Sequence, residues 1–205
     1  MSAPLFTGDV LFYQRLLKSS GYYNDILDGV WGNNTTFADK EFLDDSKKLK
    51  TELGDFDQRT EGHIATMHIK AQRAARMFMN VATSGVHRCQ IISGTRSYKE
   101  QNELYKQGRW GNPGPRVTNA RGGQSNHNFC IAWDIGLFDS TGTYLTGSTT
   151  AEIEAYKDIA AMVDMSKIEW GGDWTSFKDR PHYQYDTNKT TAEVRALFEA
   201  GNPYI

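Results

Sequence analysis

Six stretches of the chain are predicted to be helices, and in several of them apolar residues recur every three or four positions, the period of an α-helix. The first has Val10, Leu11, Gln14 and Leu17 on one face, and we expect Gly21 to end it. The remaining helices are predicted around residues 37–42 and over residues 60–80, 98–107, 150–165 and 191–200. Helices therefore account for much of the predicted fold.

Extended segments lie between these helices. Residues 88–93 and 129–138 have the apolar character of strands, and residues 168–174 and 182–185 favour further short strands or turns. Because strands and helices intermix without a regular βαβ repeat, the predicted fold class is α+β, with a small antiparallel sheet flanked by helices. We expect a small helical module over residues 1–55 and a larger domain over residues 56–205.

A long polar loop is predicted over residues 108–126, which are rich in Gly, Asn, Pro and Arg. Loops of this length without secondary structure are uncommon in compact domains and usually have a function. The loop is therefore a candidate lid or binding element.

Composition excludes several classes of protein. The 205 residues include 23 Lys and Arg against 25 Asp and Glu, a formal charge of −2. This balance argues against nucleic-acid binding, and no apolar run is long enough for membrane insertion. The N-terminus lacks the pattern of a signal peptide, so synthesis in a cytoplasm is expected. The two cysteines, Cys89 and Cys130, lack CxxC spacing and are expected to be free thiols.

One predicted strand has a carboxylate among apolar residues. Alternation within residues 129–138 puts Trp133 and Ile135 on a core-facing side and Asp134, between small residues, on the other. An acidic residue in mid-strand is disfavoured and needs compensation. Asp134 could bind a metal together with the nearby His127, or it could accept hydrogen bonds from backbone N–H groups of the loop.

A second polar cluster is Asp179-Arg180-Pro181-His182. Pro181 favours extended backbone before it, so His182 and Asp179 could face the same cleft. Two histidines and one carboxylate, His127, Asp134 and His182, would make a catalytic zinc site with a fourth position open to water. Asp179 could then take the proton from that water. Glu169 and Asp173 are rival candidates for this base.

A third cluster, residues 93–101, lies at a predicted strand-to-helix junction. Arg96 is a fixed cation beside the start of the helix, which suits a substrate carboxylate or a developing oxyanion. The alternative is an Arg that stacks on nearby aromatic rings. His63 and His68 are five residues apart, so they do not share a helix face as a pair of ligands would, and both are expected to be ordinary histidines. The same is expected of His87.

Together these clusters resemble the LAS-type zinc peptidases, a group of D-Ala-D-Ala carboxypeptidases, dipeptidases and phage endolysins. The family motif S-x-H-x-x-G-x-A-x-D is matched over residues 125–134, except that Cys130 replaces the Gly. The D-x-P-H motif is matched over residues 179–182, and S-G-x-R-S with a following Gln is matched by residues 93–97 and Gln101. The resemblance covers about residues 58–185.

The resemblance implies that His127, Asp134 and His182 bind Zn²⁺ and that Asp179 is the general base. It implies that Arg96 binds substrate or stabilises the oxyanion, and that Ser125 and Gln101 contribute to substrate binding. The implied function is hydrolysis of a stem-peptide bond in bacterial peptidoglycan by an endolysin with antimicrobial action. The expected bond is L-alanyl-D-glutamate, with a cross-bridge bond and D-Ala-D-Ala left open, and we expect a monomer. A bacteriophage enzyme of this kind would be made in the host cytoplasm and would reach the cell wall after the membrane is permeabilised.

Residues 10–42 resemble a short helical peptidoglycan-binding module, chiefly through Asp28-Gly29-Val30-Trp31-Gly32. Two other functions stay open from the sequence. One is a non-catalytic peptidoglycan-binding protein that keeps the peptidase fold. The other is a secreted wall-remodelling or effector peptidase of the D-Ala-D-Ala type.

Overall fold

The computed structural model describes residues 3–205. Its helices are α1 Pro4–Gly8, α2 Val10–Ser19, α3 Asn33–Leu53, α4 Gln58–Ile64, α5 Ile69–Ala82, α6 Tyr98–Lys106, α7 Thr150–Met162 and α8 Thr191–Ala200. Its strands are β1 Arg88–Ser93, β2 Ala132–Phe138, β3 Ile168–Trp170 and β4 His182–Tyr185. Two 3₁₀ turns, Asn126–Phe129 and Gly171–Asp173, lie next to β2 and β3.

The four strands form one sheet in the order β1-β2-β4-β3, and every neighbouring pair is antiparallel. The predicted α+β class is therefore confirmed. The described chain divides into two compact units, one of residues 3–44, 95–131 and 187–205 and the other of residues 45–94 and 132–186. Assignment of a separate module to residues 1–55 stays a prediction. No helix among residues 3–205 has the length and apolar character that a bilayer crossing requires.

One face of the sheet is an aromatic core. Trp133 on β2 pairs with Tyr183 on β4, which pairs with Trp170 on β3. The rings stack with centroids 6.4 and 6.3 Å apart, and Phe78 of α5 packs on Tyr183 at 4.5 Å. Side chains alternate along a strand, so burial of this aromatic row forces the intervening residues of β2 and β4 onto the other face.

The helix predicted over residues 60–80 is in fact two helices, α4 and α5. His68 precedes α5, and its Nδ1 accepts a hydrogen bond from the Lys70 N–H at 3.2 Å. This cap satisfies one of the N–H groups that a new helix leaves without intrahelical partners. A capping histidine is an uncommon signal, which is why the apolar period alone suggested a continuous helix.

The strand predicted from residue 129 begins only at Ala132. The residues before it form the 3₁₀ turn Asn126–Phe129, and Cys130 has left-handed backbone with φ 60°. A left-handed residue interrupts the extended chain, and glycine adopts it most easily. The family motif has Gly at position 130, and the left-handed backbone at this position favours Gly. In this chain the position is occupied by the buried Cys130.

In the first unit, one buried amide organises the turn that follows α2. The Gln14 Nε2 group donates to Asp28 Oδ1 at 2.8 Å and to the Val30 carbonyl at 3.0 Å, and Gln14 Oε1 accepts from the Gly29 N–H at 2.8 Å. Asp28 Oδ1 also accepts from the Val30 N–H at 2.9 Å. Hydrogen bonds to Gln14 therefore hold the conspicuous Asp28-Gly29 pair of the sequence in this turn.

In the second unit, a buried ion pair joins α4 to α5. Arg76 is 1% exposed, and its two Nη groups donate to the Glu61 carboxylate at 2.8 Å each. Arg76 also donates to the Gly54 carbonyl at 2.8 Å, and Glu61 accepts from the Phe56 N–H at 3.0 Å. One turn earlier on α5, Arg73 makes a similar pair with Glu52, but on the surface.

These two pairs provide a matched test of burial. Glu61→Ala should lower the free energy of unfolding by about 3–5 kcal/mol, because it leaves a buried guanidinium without its carboxylate. Glu52→Ala should have little effect, because solvent screens the exposed pair. Urea unfolding at neutral pH measures both, and equal losses for the two variants would contradict the assignment.

Candidate metal centre

The face of the sheet opposite the aromatic core is polar at its centre. Asp134 of β2 lies directly opposite His182 of β4. Side chains of directly opposed residues project from the same face with Cβ atoms about 5 Å apart. Accordingly, His182 Nδ1 and Asp134 Oδ1 are 3.1 Å apart. The pairing of two strands therefore produces the contact between two residues that are far apart in the sequence.

His182 is almost enclosed, with 7% of its side chain exposed. Its Nε2 is 3.0 Å from Gln184 Oε1, and the Trp174 ring lies 5.0 Å from the imidazole. Burial by itself lowers the pKa of His182, but the hydrogen bond and charge of Asp134, the hydrogen bond to Gln184 and the charge of Asp179 together raise it. The surroundings of this ring thus favour a positive charge.

His127 lies in the 3₁₀ turn Asn126–Phe129 and is 1% exposed. Its carbonyl accepts a hydrogen bond from the Arg96 N–H at 3.0 Å. The next residue, the buried Asn128, donates to the Arg96 carbonyl at 2.9 Å and accepts from the Gly123 N–H at 3.0 Å. Hydrogen bonds to Arg96 and to Gly123 therefore hold the turn that contains His127, and they keep Arg96 next to it.

The three predicted ligands come together: one ligand atom each of His127, Asp134 and His182 lies within 4.8 Å of the other two. Two imidazoles and a carboxylate are a ligand set of catalytic zinc sites. The residues present therefore fit a zinc ion by their chemistry and their proximity.

Asp179 occupies a tight turn before β4. Its N–H donates to the Gly171 carbonyl at 2.9 Å, and its own carbonyl accepts from the His182 N–H at 3.2 Å. Its charge contributes to the raised pKa of His182. The structure therefore places the predicted base in the same turn as a predicted ligand.

The rival base Glu169 has both carboxylate oxygens engaged. Oε1 accepts from Trp174 Nε1 at 2.5 Å, and Oε2 accepts from Gln184 Nε2 at 2.7 Å. Each oxygen of this carboxylate therefore already has a hydrogen-bond donor. Asp173, the other rival, is exposed in the turn Gly171–Asp173.

Gln101 is fully buried and makes hydrogen bonds to neighbouring residues. Its Oε1 accepts from Arg96 Nη1 at 3.0 Å, and its Nε2 donates to the Ala120 carbonyl at 2.9 Å and to Thr118 Oγ1 at 3.3 Å. Gln101 therefore orients Arg96 and holds the end of the long loop. Ser125, the third predicted substrate-binding residue, is partly exposed at the start of the turn that carries His127.

The long loop lacks helices and strands, as predicted, but it has internal order. Arg109 donates to the carbonyls of Tyr105 at 2.6 Å and Thr118 at 3.0 Å. The guanidinium groups of Arg109 and Arg121 lie 4.1 and 5.0 Å from the centre of the Tyr105 ring. Trp110, in the same loop, is 71% exposed. The loop is thus fixed at its base while an aromatic ring faces solvent.

Three residues around the centre were not singled out from the sequence: Asn128, Trp174 and Gln184. Gln184 had a signal, because it alternates with His182 along β4 and must share its face. Asn128 is a polar residue next to the predicted ligand His127 in the motif. Nothing in the local sequence indicated that Trp174 contacts Glu169.

Comparison with known proteins agrees with this arrangement. Residues 118–185 match the profile of the peptidase family described as D-alanyl-D-alanine carboxypeptidase. The matched residues include His127, Asp134, Asp179 and His182. The resemblance that the sequence motifs indicated is thereby confirmed over residues 118–185.

Individual relatives were also found. The chain is 42% identical over 102 residues to the peptidoglycan L-alanyl-D-glutamate endopeptidase CwlK of Bacillus subtilis (strain 168). This match covers 48% of the chain and 60% of CwlK, so the chain spans less than two thirds of that relative. Among solved structures, it is similar to the L-Ala D-Glu endopeptidase ChiX of Serratia marcescens, with a TM-score of 0.48 and 23% identity over 65% of this chain and 90% of that chain.

The turn that holds Asp179 depends on the absence of a side chain at position 171. A Cβ on Gly171 would lie 2.5 Å from the Asp179 carbonyl oxygen and 3.1 Å from His182 Cβ. Gly171→Ala should therefore displace this turn, lowering the free energy of unfolding by about 1–3 kcal/mol and weakening metal binding. Thermal unfolding and zinc titration measure the two effects.

Gly62→Ala is the matched control, because a Cβ there meets nothing within 4 Å. Gly62 lies within α4, so Ala should be neutral or stabilise by about 0.5–1 kcal/mol. A Gly171→Ala protein with unchanged melting temperature and zinc affinity would show that the close approach has no role.

Proposed function

We propose that this chain is a zinc-dependent peptidase that hydrolyses the L-alanyl-D-glutamate bond in the stem peptides of bacterial peptidoglycan. The observation that carries the proposal is the cluster of His127, Asp134 and His182 with Asp179 in the adjoining turn. The activity for which CwlK, the 42% identical relative, is named supports the choice of substrate and bond.

In the proposed mechanism, His127, Asp134 and His182 hold the zinc ion. When bound there, zinc supplies Lewis acidity, which polarises the scissile carbonyl and makes an attacking water more acidic. Asp179 accepts the proton of that water at a carboxylate oxygen and later gives it to the leaving amine. Because burial excludes solvent from His127 and His182, charges in the site interact strongly.

Arg96 supplies a positive charge for the oxyanion that develops on the scissile carbonyl, or for a substrate carboxylate. Its backbone N–H to His127 and its side-chain contact with Gln101 support a fixed position for the guanidinium. We assign Gln101 to substrate binding through Arg96 and the loop, and Ser125 to a direct contact.

We further propose that the chain acts as a monomeric bacteriophage endolysin, which lyses the host after the membrane is permeabilised. The first helices would then bind the wall. Phe37 is 67% exposed, and an exposed aromatic ring suits contact with the apolar faces of sugars. A non-catalytic wall-binding protein and a secreted remodelling or effector peptidase are the alternatives that experiment has to separate.

A digest of purified peptidoglycan, read by mass spectrometry, tests the reaction. New amino termini at D-glutamate that vanish with chelator and return with zinc are expected. Cleavage that persists in chelator would overturn the zinc assignment, and fragments with another terminus would overturn the assigned bond. Sedimentation with the wall without any cleavage would favour the binding protein.

Two variants separate metal binding from proton transfer. Asp179→Asn should lower kcat by about 10²–10⁴-fold while zinc still binds, because the amide keeps the shape but cannot accept the proton. His127→Ala should lose both zinc and activity. Zinc content after dialysis, measured beside the rate of peptide release, distinguishes them. Full activity of Asp179→Asn would show that another group is the base.

A further inference from the structure

Four side chains form a hydrogen-bonded row in the order Trp174, Glu169, Gln184 and His182. The row reaches His182 at Nε2. Trp174 Nε1 donates to Glu169 Oε1 at 2.5 Å, and Gln184 Nε2 donates to Glu169 Oε2 at 2.7 Å. Gln184 Oε1 is then 3.0 Å from His182 Nε2. Gln184 lies opposite Glu169 in the β3–β4 ladder and opposite the small Ala132 in the β2–β4 ladder, which leaves room for its amide.

The chemistry of these groups determines the direction of every hydrogen bond in the row. An indole N–H can only donate, and an ionised carboxylate can only accept. The amide nitrogen of Gln184 must therefore face Glu169, so its oxygen faces His182. An amide oxygen can only accept, and the proton of the neutral imidazole must lie on Nε2.

The consequence appears on the other side of the ring. With the proton on Nε2, His182 Nδ1 presents a lone pair toward Asp134 Oδ1, 3.1 Å away. Two acceptor atoms then face each other, an arrangement that a cation stabilises. In the other tautomer, Nδ1–H would donate to Asp134, and that hydrogen bond would compete with a metal ion for both atoms.

We propose that Glu169 and Gln184 are positioning residues that hold His182 in the Nε2–H tautomer, so that Nδ1 is its metal-binding atom. This inference rests on the zinc site of the proposed function. It also gives Glu169 a role in place of that of a base. Partners of this kind behind a metal-binding histidine typically contribute 10–100-fold to metal affinity.

Glu169→Gln is the discriminating variant because it changes one atom and no shape. The new amide oxygen would accept from Trp174, and its NH₂ would face Gln184. Gln184 would then turn its oxygen toward residue 169 and its NH₂ toward His182. We expect the proton of the neutral ring to move to Nδ1 and zinc affinity to fall by about 10–100-fold.

The double variant Glu169→Gln/Gln184→Glu should restore the wild-type pattern. The amide at position 169 would donate to the new carboxylate at position 184, whose other oxygen would again accept from His182 Nε2–H. Glu154→Gln, on the exposed surface of α7, controls for loss of one negative charge. Melting temperatures of all variants show whether each is folded.

Two readouts test the inference. The ¹⁵N shifts of His182 in zinc-free protein, recorded where the ring is neutral, report the tautomer directly, and competition with a chelator gives the zinc affinity. A changed tautomer and weaker zinc binding in Glu169→Gln, both reversed in the double variant, would support it. Unchanged ¹⁵N shifts and zinc affinity in folded Glu169→Gln would overturn the inference. So would a double variant that binds zinc as weakly as the single variant.

These outcomes are separate from the proposed function. Wild-type protein that binds no zinc, or binds zinc and cleaves no peptide, would contradict the proposed function, while the ¹⁵N shifts would still report whether Glu169 controls the tautomer. Conversely, a zinc-dependent wild-type enzyme whose Glu169→Gln variant binds zinc equally well would contradict only the positioning role.

Discussion

The register between β2 and β4 is the constraint on which the site depends. It places Asp134 opposite His182 on one face of the sheet and Trp133 opposite Tyr183 on the other. A slip of one residue would bury the carboxylate in the aromatic core and expose the tryptophan. Burial of the rings therefore maintains the contact of the polar pair, so the hydrophobic effect positions groups whose own interaction would be costly to bury.

The same sheet orders the surroundings of the pair. Gln184 follows His182 by two residues and meets Glu169 across the β3–β4 ladder, so partners of His182 arise from strand alternation and pairing. The turn before β4 adds Asp179, which approaches the backbone of Gly171 closely enough to exclude a side chain there. The proposed ligands Asp134 and His182 and the proposed base Asp179 are thus held by backbone hydrogen bonds of neighbouring strands and turns.

Much of this could be predicted from the sequence because local rules suffice for it. The helix beginning at Tyr98 has its capping box, Ser97 with Glu100, and the last helix ends at the left-handed Gly201. Motif spacing predicted the three ligands and the base. Local rules failed where one unusual residue decides the backbone: His68 caps a new helix, and Cys130 takes a left-handed conformation that delays β2.

By itself, the sequence determined the fold class and indicated a set of candidate ligands, because periodicity, capping and motif spacing are properties of neighbouring residues. Only the tertiary structure decided which polar residues support the site, because contacts across strands join residues remote in the chain. Glu169 was a rival base from its position in the sequence, and its bonds to Trp174 and Gln184 engage both of its oxygens. Likewise, Gln101 was predicted to contribute to substrate binding, and the structure shows it buried and accepting a hydrogen bond from Arg96.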